Sequence, residues 1–161
     1  RPMALELGFG RPGDASPAPT IAIVGLGAIL LRGIVDRVDC DEAGRVRVID
    51  YKGSNQPISA GDLFSGRRVQ LALYASAVQQ LLPGREVVDG FYWHVRAANR
   101  SSLSLGRLDG GVAAAAERAA TWALEASAGV EAGHFPPQPE GCRSYCPGVE
   151  ICWQYAPGRR F

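Results

Sequence analysis

Two apolar segments joined by one short polar turn constrain the fold of this chain more than any other feature. Residues 28–39 form an apolar run, residues 41–44 read Asp-Glu-Ala-Gly, and residues 45–51 alternate between polar and aliphatic side chains. Acidic residues followed by glycine favour a turn, and alternation with a period of two is typical of a β-strand. The two segments therefore predict an antiparallel β-hairpin, with Lys52 directly after its second strand.

Predicted strands and helices continue on both sides of this hairpin. Alternating or apolar stretches predict strands over residues 20–24, 87–95 and 101–108, the first of which extends the hairpin into an antiparallel meander. Apolar residues at helical spacing predict helices over residues 67–82 and 112–129. The predicted fold class is therefore α/β, with a mixed central β-sheet flanked by helices.

The composition predicts one soluble domain, because the 161 residues are 47% hydrophobic and 20% charged. Residues 1–19 are rich in proline, glycine and alanine and indicate an entry segment with a short strand near residues 5–9. Residues 20–133 form the predicted core, with a polar loop at residues 53–65, and residues 134–161 form a cysteine-containing tail.

Charge and hydropathy exclude some classes of function. The formal net charge is +1, so any contact with nucleic acid must come from local arginines rather than from an overall positive field. No apolar run reaches membrane-spanning length, and the start does not resemble a signal peptide. We expect a cytoplasmic protein without a membrane partner and, since the chain begins at Arg1, a piece of a larger protein.

Lys52 is the one lysine among the 17 Lys and Arg residues of the chain. An ammonium is a compact point charge, whereas a guanidinium is a planar fork that stays charged. Lys52 follows Asp50 by two residues, so their side chains share a face of the predicted strand. If the hairpin forms, Asp36 on the first strand can converge on Asp50, giving two oxygen ligands for Mg²⁺ beside an ammonium.

Such a site has a chemical purpose and an ordinary alternative. A bound Mg²⁺ can polarise a phosphodiester and lower the pKa of an attacking water, while Lys52 orients that water or neutralises charge on phosphorus. Solvated acids at strand ends are the alternative, and we assign that role to Asp39, Asp41 and Glu42. Gln70 and Tyr74 are four residues apart on one face of the following helix, either supporting the site or lying at the rim of the core.

Three patterns in this order resemble the RecB-like branch of the PD-(D/E)XK nucleases, in particular the AddB-type helicase–nucleases and CRISPR-associated RecB-like exonucleases. The patterns are Gly33-x-x-Asp36-Arg37-x-Asp39, Val48-Ile49-Asp50-Tyr51-Lys52 and Gln70-x-x-x-Tyr74-Ala75. The resemblance implies a restriction-endonuclease-like core that hydrolyses DNA phosphodiesters with Mg²⁺ or Mn²⁺, often as an exonuclease in DNA repair. DNA and a helicase, either a separate chain or another region of the same protein, are the implied partners.

The resemblance also assigns roles to residues of this chain. Asp36, Asp50 and the backbone carbonyl of Tyr51 would bind the metal, Lys52 would be the catalytic lysine, and Gln70 with Tyr74 would support the site and touch DNA. The family commonly adds a Glu or His from an upstream helix, which the residues before Asp36 do not supply. We expect Glu6 to belong to an early strand rather than to that helix.

Three crowded cysteines, Cys142, Cys146 and Cys152, indicate a metal or cluster rather than a disulfide framework. Their spacing alone suits either zinc or an iron–sulfur cluster. The resemblance favours a 4Fe–4S cluster whose fourth ligand is missing from this chain, and we expect Cys40 to be a core or loop residue. Two other functions remain open: a nuclease-like domain that binds DNA or a partner without cleavage, and a cysteine-cluster interaction module.

Overall fold

A computed structural model describes residues 1–134 of the chain, and residues 1–126 form one compact unit. A sheet of five strands has the order β1-β4-β5-β6-β7, and β2 and β3 form a separate two-stranded sheet. None of the described helices is long and apolar enough to cross a membrane. The elements in chain order are β1 (Pro2–Phe9), β2 (Thr20–Ile23), β3 (Gly27–Leu30), β4 (Gly33–Cys40), β5 (Val46–Lys52), α1 (Ala60–Phe64), α2 (Gln70–Leu81), β6 (Val87–His94), β7 (Asn99–Ser104), a 3₁₀ turn (Leu105–Arg107) and α3 (Gly111–Glu131).

The central strand β5 has neighbours of opposite direction on its two sides. It pairs antiparallel with β4, where Arg37 lies opposite Ile49. It pairs parallel with β6, where Asp50 lies opposite Tyr92. Parallel strands need a long crossover, and here the crossover carries α1 and α2. The mixed sheet flanked by helices that the sequence predicts is confirmed.

The hydrophobic core lies between α2 and one face of the sheet. Side chains two apart on a strand share a face, so Val46, Val48 and Asp50 all point toward α2, and none of them is more than 2% exposed. Leu71 and Val78 of α2 fill the other side of the core and are fully buried. An aspartate at the end of a row of core valines is the unusual member of this face.

The hairpin of residues 45–51 with the preceding strand is confirmed, but the predicted meander is wrong. The run 28–39 breaks into β3 and β4, and β4 takes β1 as its second neighbour instead of the strand near residues 20–24. β1 is longer than the short strand predicted near residues 5–9, and its Phe9 is fully buried in the core. The proline-rich and glycine-rich sequence after Phe9 hid the fact that this strand belongs to the main sheet.

The predicted helices are confirmed as α2 and α3, while the loop of residues 53–65 contains the short helix α1. Its signal is a capping box, in which the amide of Ser59 donates to Asp62 Oδ2 at 2.8 Å. Reciprocal bonds of this kind stabilise a helix start. A glycine within the first turn, Gly61, disguised that signal in the sequence. The strand predicted over residues 101–108 ends earlier, because the chain turns into the 3₁₀ segment after Ser104.

Candidate active site

Asp36 lies where β4 departs from regular strand alternation. Val35 and Val38 are both fully buried although they are three residues apart, which a regular strand cannot achieve with one face. On the neighbouring strand Glu6 has a φ of 51°, within the register that pairs Leu5 with Arg37 and Leu7 with Val35. Both strands therefore change face at this level, and Asp36 projects from the irregular point.

The carboxylate of Asp36 reaches across to β5. Its Oδ2 accepts a hydrogen bond of 2.7 Å from the backbone N–H of Tyr51. The register that pairs Arg37 with Ile49 continues to place Asp36 opposite Asp50. The hairpin thus brings together the two aspartates that the sequence predicts as a pair.

Asp50 and Lys52 form an ion pair at the end of β5. Lys52 Nζ lies 2.6 Å from Asp50 Oδ2, and the Asp50 side chain is only 3% exposed while that of Lys52 is 24% exposed. Despite this contact, Asp50 Oδ2 is buried without a partner of hydrogen-bond geometry among the described residues. Distance makes the contact an ion pair, and the angle leaves the oxygen incompletely satisfied.

Gln70 and Tyr74 join this group from the first turns of α2. Lys52 Nζ donates to Gln70 Oε1 at 3.2 Å, and Gln70 Nε2 donates to the Tyr74 hydroxyl at 3.2 Å. The amide of Gln70 therefore has one role for each end, accepting from the ammonium and donating to the phenol. All the side chains that the sequence predicts for the site within residues 1–134 lie at this end of the sheet.

Gly33 allows Tyr74 to approach the sheet. A Cβ atom at this position would lie 2.9 Å from Tyr74 Cε1 and 3.1 Å from Phe9 Cζ. The Phe9 and Tyr74 rings meet edge to face with their centroids 6.0 Å apart, a favourable aromatic geometry. The glycine three residues before Asp36 is thus explained by close packing against the tyrosine of α2.

Burial dominates the electrostatics of the site. It raises the pKa of Asp50 above its ordinary value, and the Lys52 contact and charge offset that rise only in part. The negative charge of Asp36 acts in the same direction as burial, and the positive charge of Arg68 opposes it. A buried carboxylate whose pKa rises beside a second acid is typical of functional sites.

Two residues of β6 complete the surroundings, and sequence reasoning gave neither a role in the site. Tyr92 is fully buried opposite Asp50, and its ring centroid lies 5.1 Å from Lys52 Nζ. His94 lies opposite Lys52, and its Nδ1 is 2.7 Å from the carbonyl oxygen of Ser54, which fixes the chain just after the lysine. A parallel register for residues 87–95 would have revealed both, but the sequence does not encode that register locally.

The Tyr51 side chain points away from this group. It is 40% exposed, and its hydroxyl accepts a long bond of 3.4 Å from Arg37 Nη1. Arg37 also pairs with Asp39, at 2.6 Å between Nε and Oδ1. Asp39 therefore serves an ion pair on the opposite face of the sheet.

The two carboxylates fit a divalent cation that prefers oxygen. Mg²⁺ is commonly held by one or two carboxylates and keeps several waters, and the incompletely satisfied Asp50 Oδ2 beside Asp36 offers such a position. Over residues 1–134, no three His, Cys, Asp or Glu side chains converge on one point. Glu6, exposed on β1 as an early-strand residue, does not supply a third ligand.

The cysteines are not part of this geometry. Cys142, Cys146 and Cys152 lie outside the described residues, so their proposed cluster rests on the sequence. Cys40 is a free, half-buried residue that pairs with Val46 at the turn end of the β4–β5 hairpin. Its Sγ accepts from Arg85 Nη1 at 3.2 Å, in keeping with the expected core or loop role.

A mixed sheet that brings two aspartates and a lysine to one end of its central hairpin, with a crossover helix alongside, defines a restriction-endonuclease-like fold. The sequence profile of the PD-(D/E)XK nuclease superfamily matches residues 1–153. The chain belongs to this superfamily.

Curated relatives share part of the chain, and they are named as the second of the subunits of an ATP-dependent helicase/deoxyribonuclease. The relative from Symbiobacterium thermophilum is 44% identical over 98 residues, which cover 56% of this chain and 8% of the relative. The relative from Desulforudis audaxviator carries the same name and is 36% identical over 104 residues, covering 60% of this chain and 9% of the relative. The chain thus spans less than a tenth of the length of these two relatives.

Proposed function

We propose that this chain is a metal-dependent DNA nuclease domain, acting as an exonuclease in DNA end processing, repair or recombination. The observation that carries the proposal is the convergence of Asp36, Asp50 and Lys52 at one end of the β4–β5 hairpin, where Lys52 Nζ contacts Asp50 at 2.6 Å. Superfamily membership supports hydrolytic cleavage, and the names of the curated relatives support DNA as the substrate and a helicase as the partner.

Asp36, Asp50 and the backbone carbonyl of Tyr51 would hold Mg²⁺ or Mn²⁺. When bound, the metal supplies a Lewis acid that stabilises negative charge on the scissile phosphate. Holding the two carboxylates in place is the task of the sheet, since the Tyr51 amide fixes Asp36 and the core fixes Asp50.

Lys52 is the proposed catalytic lysine. Its ammonium is partly exposed and can donate to a phosphate oxygen or to the attacking water, while Gln70 Oε1 fixes its direction at 3.2 Å. Tyr74 in turn fixes Gln70. A preorganised donor aimed at developing charge costs little reorganisation during the reaction, and that is what this chain of contacts provides.

Cleavage of a labelled single strand in Mg²⁺ or Mn²⁺ tests the proposal. We expect Asp50→Ala and Lys52→Ala each to reduce cleavage about 10²-fold or more, as for the loss of a positioned catalytic group. Asp39→Ala is the matched control, because this aspartate belongs to the same hairpin but pairs with Arg37 on the other face. Cleavage that survives both substitutions at the site would refute the catalytic assignment.

A second candidate is a nuclease-like domain that binds DNA or a partner without cutting. It is favoured by the presence of only two converging carboxylates over residues 1–134 and by the ion pair that already neutralises one of them. Single-strand binding without cleavage in either metal would support this alternative. A 4Fe–4S cluster on Cys142, Cys146 and Cys152 belongs to the same proposal, and its visible absorbance after anaerobic purification is the test.

A further inference from the structure

The Lys52 ammonium has three neighbours of different kinds. Asp50 Oδ2 lies 2.6 Å away as an ion-pair partner, Gln70 Oε1 lies 3.2 Å away as an acceptor, and the Tyr92 ring lies beneath it at 5.1 Å to the centroid. A cation within about 6 Å of an aromatic centroid is attracted to the ring face. The ammonium therefore has an aromatic contact in addition to its charged one.

Tyr92 is an unfavourable residue for this position if packing is its only task. Its side chain is fully buried, yet its hydroxyl has no hydrogen-bond partner among the described residues. A buried, unpaired hydroxyl destabilises a fold, and phenylalanine would fill the core without it. The ring, rather than a structural hydrogen bond, is the part of Tyr92 that contacts a functional group.

Lys52 and a divalent cation compete for the same carboxylate. This step rests on the proposed function, in which Asp50 is a metal ligand. Lys52 then loses its ion-pair partner while its side chain remains only 24% exposed. A partly buried charge without a partner is strongly unfavourable, so the ammonium must find other contacts or leave the site.

We propose that Tyr92 is a positioning residue whose ring, together with Gln70 Oε1, holds the Lys52 ammonium in the site when Asp50 is engaged elsewhere. The ring face cannot be taken by a cation that prefers oxygen ligands, because Mg²⁺ requires oxygen donors. The aromatic contact thus separates the two cations, leaving the carboxylate to one and the ring to the other.

The single lysine makes a direct test possible. In the 161-residue chain labelled with ¹³C-lysine, only Lys52 gives side-chain signals in an NMR spectrum. Protons above an aromatic ring resonate upfield, so we expect the Lys52 ε-proton signal upfield of free lysine in the metal-free chain. Tyr92→Phe should retain this shift because it keeps the ring, and Tyr92→Met should abolish it.

Phe91→Met is the matched control. Phe91 is the neighbouring aromatic of β6, and its ring carries a different cation, with Arg100 Cζ at 4.0 Å on the opposite face of the sheet. Its loss should leave the Lys52 signal unchanged. If Tyr92→Met fails to fold, a nuclear Overhauser effect between the Lys52 ε protons and the Tyr92 ring protons tests the same contact in the unaltered chain.

Addition of Mg²⁺ completes the experiment. The Lys52 signal of the unaltered chain should move but stay upfield, whereas that of Tyr92→Met should reach the position of free lysine. Cleavage should survive in Tyr92→Phe and fall about 3- to 30-fold in Tyr92→Met, the range expected for a lost cation–π contact.

Three results are decisive. A Lys52 signal without an upfield shift in the metal-free chain, or the same shift in Tyr92→Met, would overturn the proposal. So would a move to the free-lysine position when Mg²⁺ binds the unaltered chain. If Mg²⁺ perturbs no signal and no cleavage occurs, the proposed function fails, while the metal-free shift still decides whether Tyr92 holds Lys52.

Discussion

The two ends of the β4–β5 hairpin treat an aspartate in opposite ways. At the turn end, Asp41 Oδ1 accepts from the backbone N–H groups of Ala43 and Arg45 at 3.0 and 2.9 Å, and Oδ2 accepts from Arg45 Nε at 2.9 Å. At the open end, Asp50 is buried with one ion-pair contact and an oxygen that lacks a hydrogen bond. Both acids lie near a strand end of one hairpin, and their neighbours make them different.

The electrostatic consequence is a difference in sign. Burial works to raise the pKa of Asp41, but the hydrogen bonds from Arg45 and Ala43 outweigh it and hold that pKa below its usual range. Burial also raises the pKa of Asp50, and there the compensation is incomplete. The comparison teaches that a fully satisfied acid builds the turn, whereas an incompletely satisfied acid is available for a ligand.

Exchanging lysine and arginine at the two ends should have the largest effect. Lys52→Arg keeps the charge but replaces a compact ammonium with a planar fork, so we expect cleavage to fall about 10²-fold. Arg45→Lys makes the reverse exchange at the exposed turn and should leave cleavage unchanged. Single-turnover cleavage rates of the two variants measure this, and equal rates would remove the distinction between the two ends.

Asp41→Ala should affect stability instead of cleavage. It removes the acceptor for two backbone amides and one guanidinium, so we expect the midpoint of urea denaturation to fall, by less than a large-to-small substitution in the core would cause. Urea denaturation measures the loss, and the cleavage rate per folded molecule should stay at the level of the unaltered chain. A variant that unfolds no more easily but cleaves slowly would place Asp41 in the functional site.

The smallest effect should be a pH dependence, because Lys52 offsets part of the burial. The pKa of Asp50 is raised in the folded chain, so the folded state binds this proton more tightly than the unfolded state does. Metal-free chain should therefore gain stability relative to Asp50→Asn as the pH falls through the folded pKa of Asp50. Urea denaturation of both proteins across a pH series measures the gain, and a difference that shrinks as pH falls would contradict the sign.

The sequence predicts the open end of the hairpin well because its signals are local. The alternation before Asp50, the Asp-x-Lys spacing and the four-residue spacing from Gln70 to Tyr74 each act within one strand or one helix turn. These residues meet in the fold as the patterns indicate. The catalytic roles themselves stay predictions until cleavage is measured.

The sequence fails where the determinant is a partner far along the chain. Tyr92 enters the site only because β6 pairs parallel with β5, and that register depends on the whole crossover. β1 joins the sheet only because β4 lies beside it, with residues 10–32 between them. Neither pairing leaves a periodic signal in its own segment, so local patterns cannot reveal it.

The β2–β3 hairpin has a consequence for how this scaffold can vary. It is inserted between β1 and β4, which pair with each other directly, and the side chain of Gln80 fastens it at the backbone of Thr20. Each doubling of a flexible loop adds only about 0.6 kcal/mol to its closure. Insertions at the tip near Gly25 can therefore accumulate without displacing Asp36, which gives natural divergence or engineering a place to graft new sequence while the chemistry stays intact.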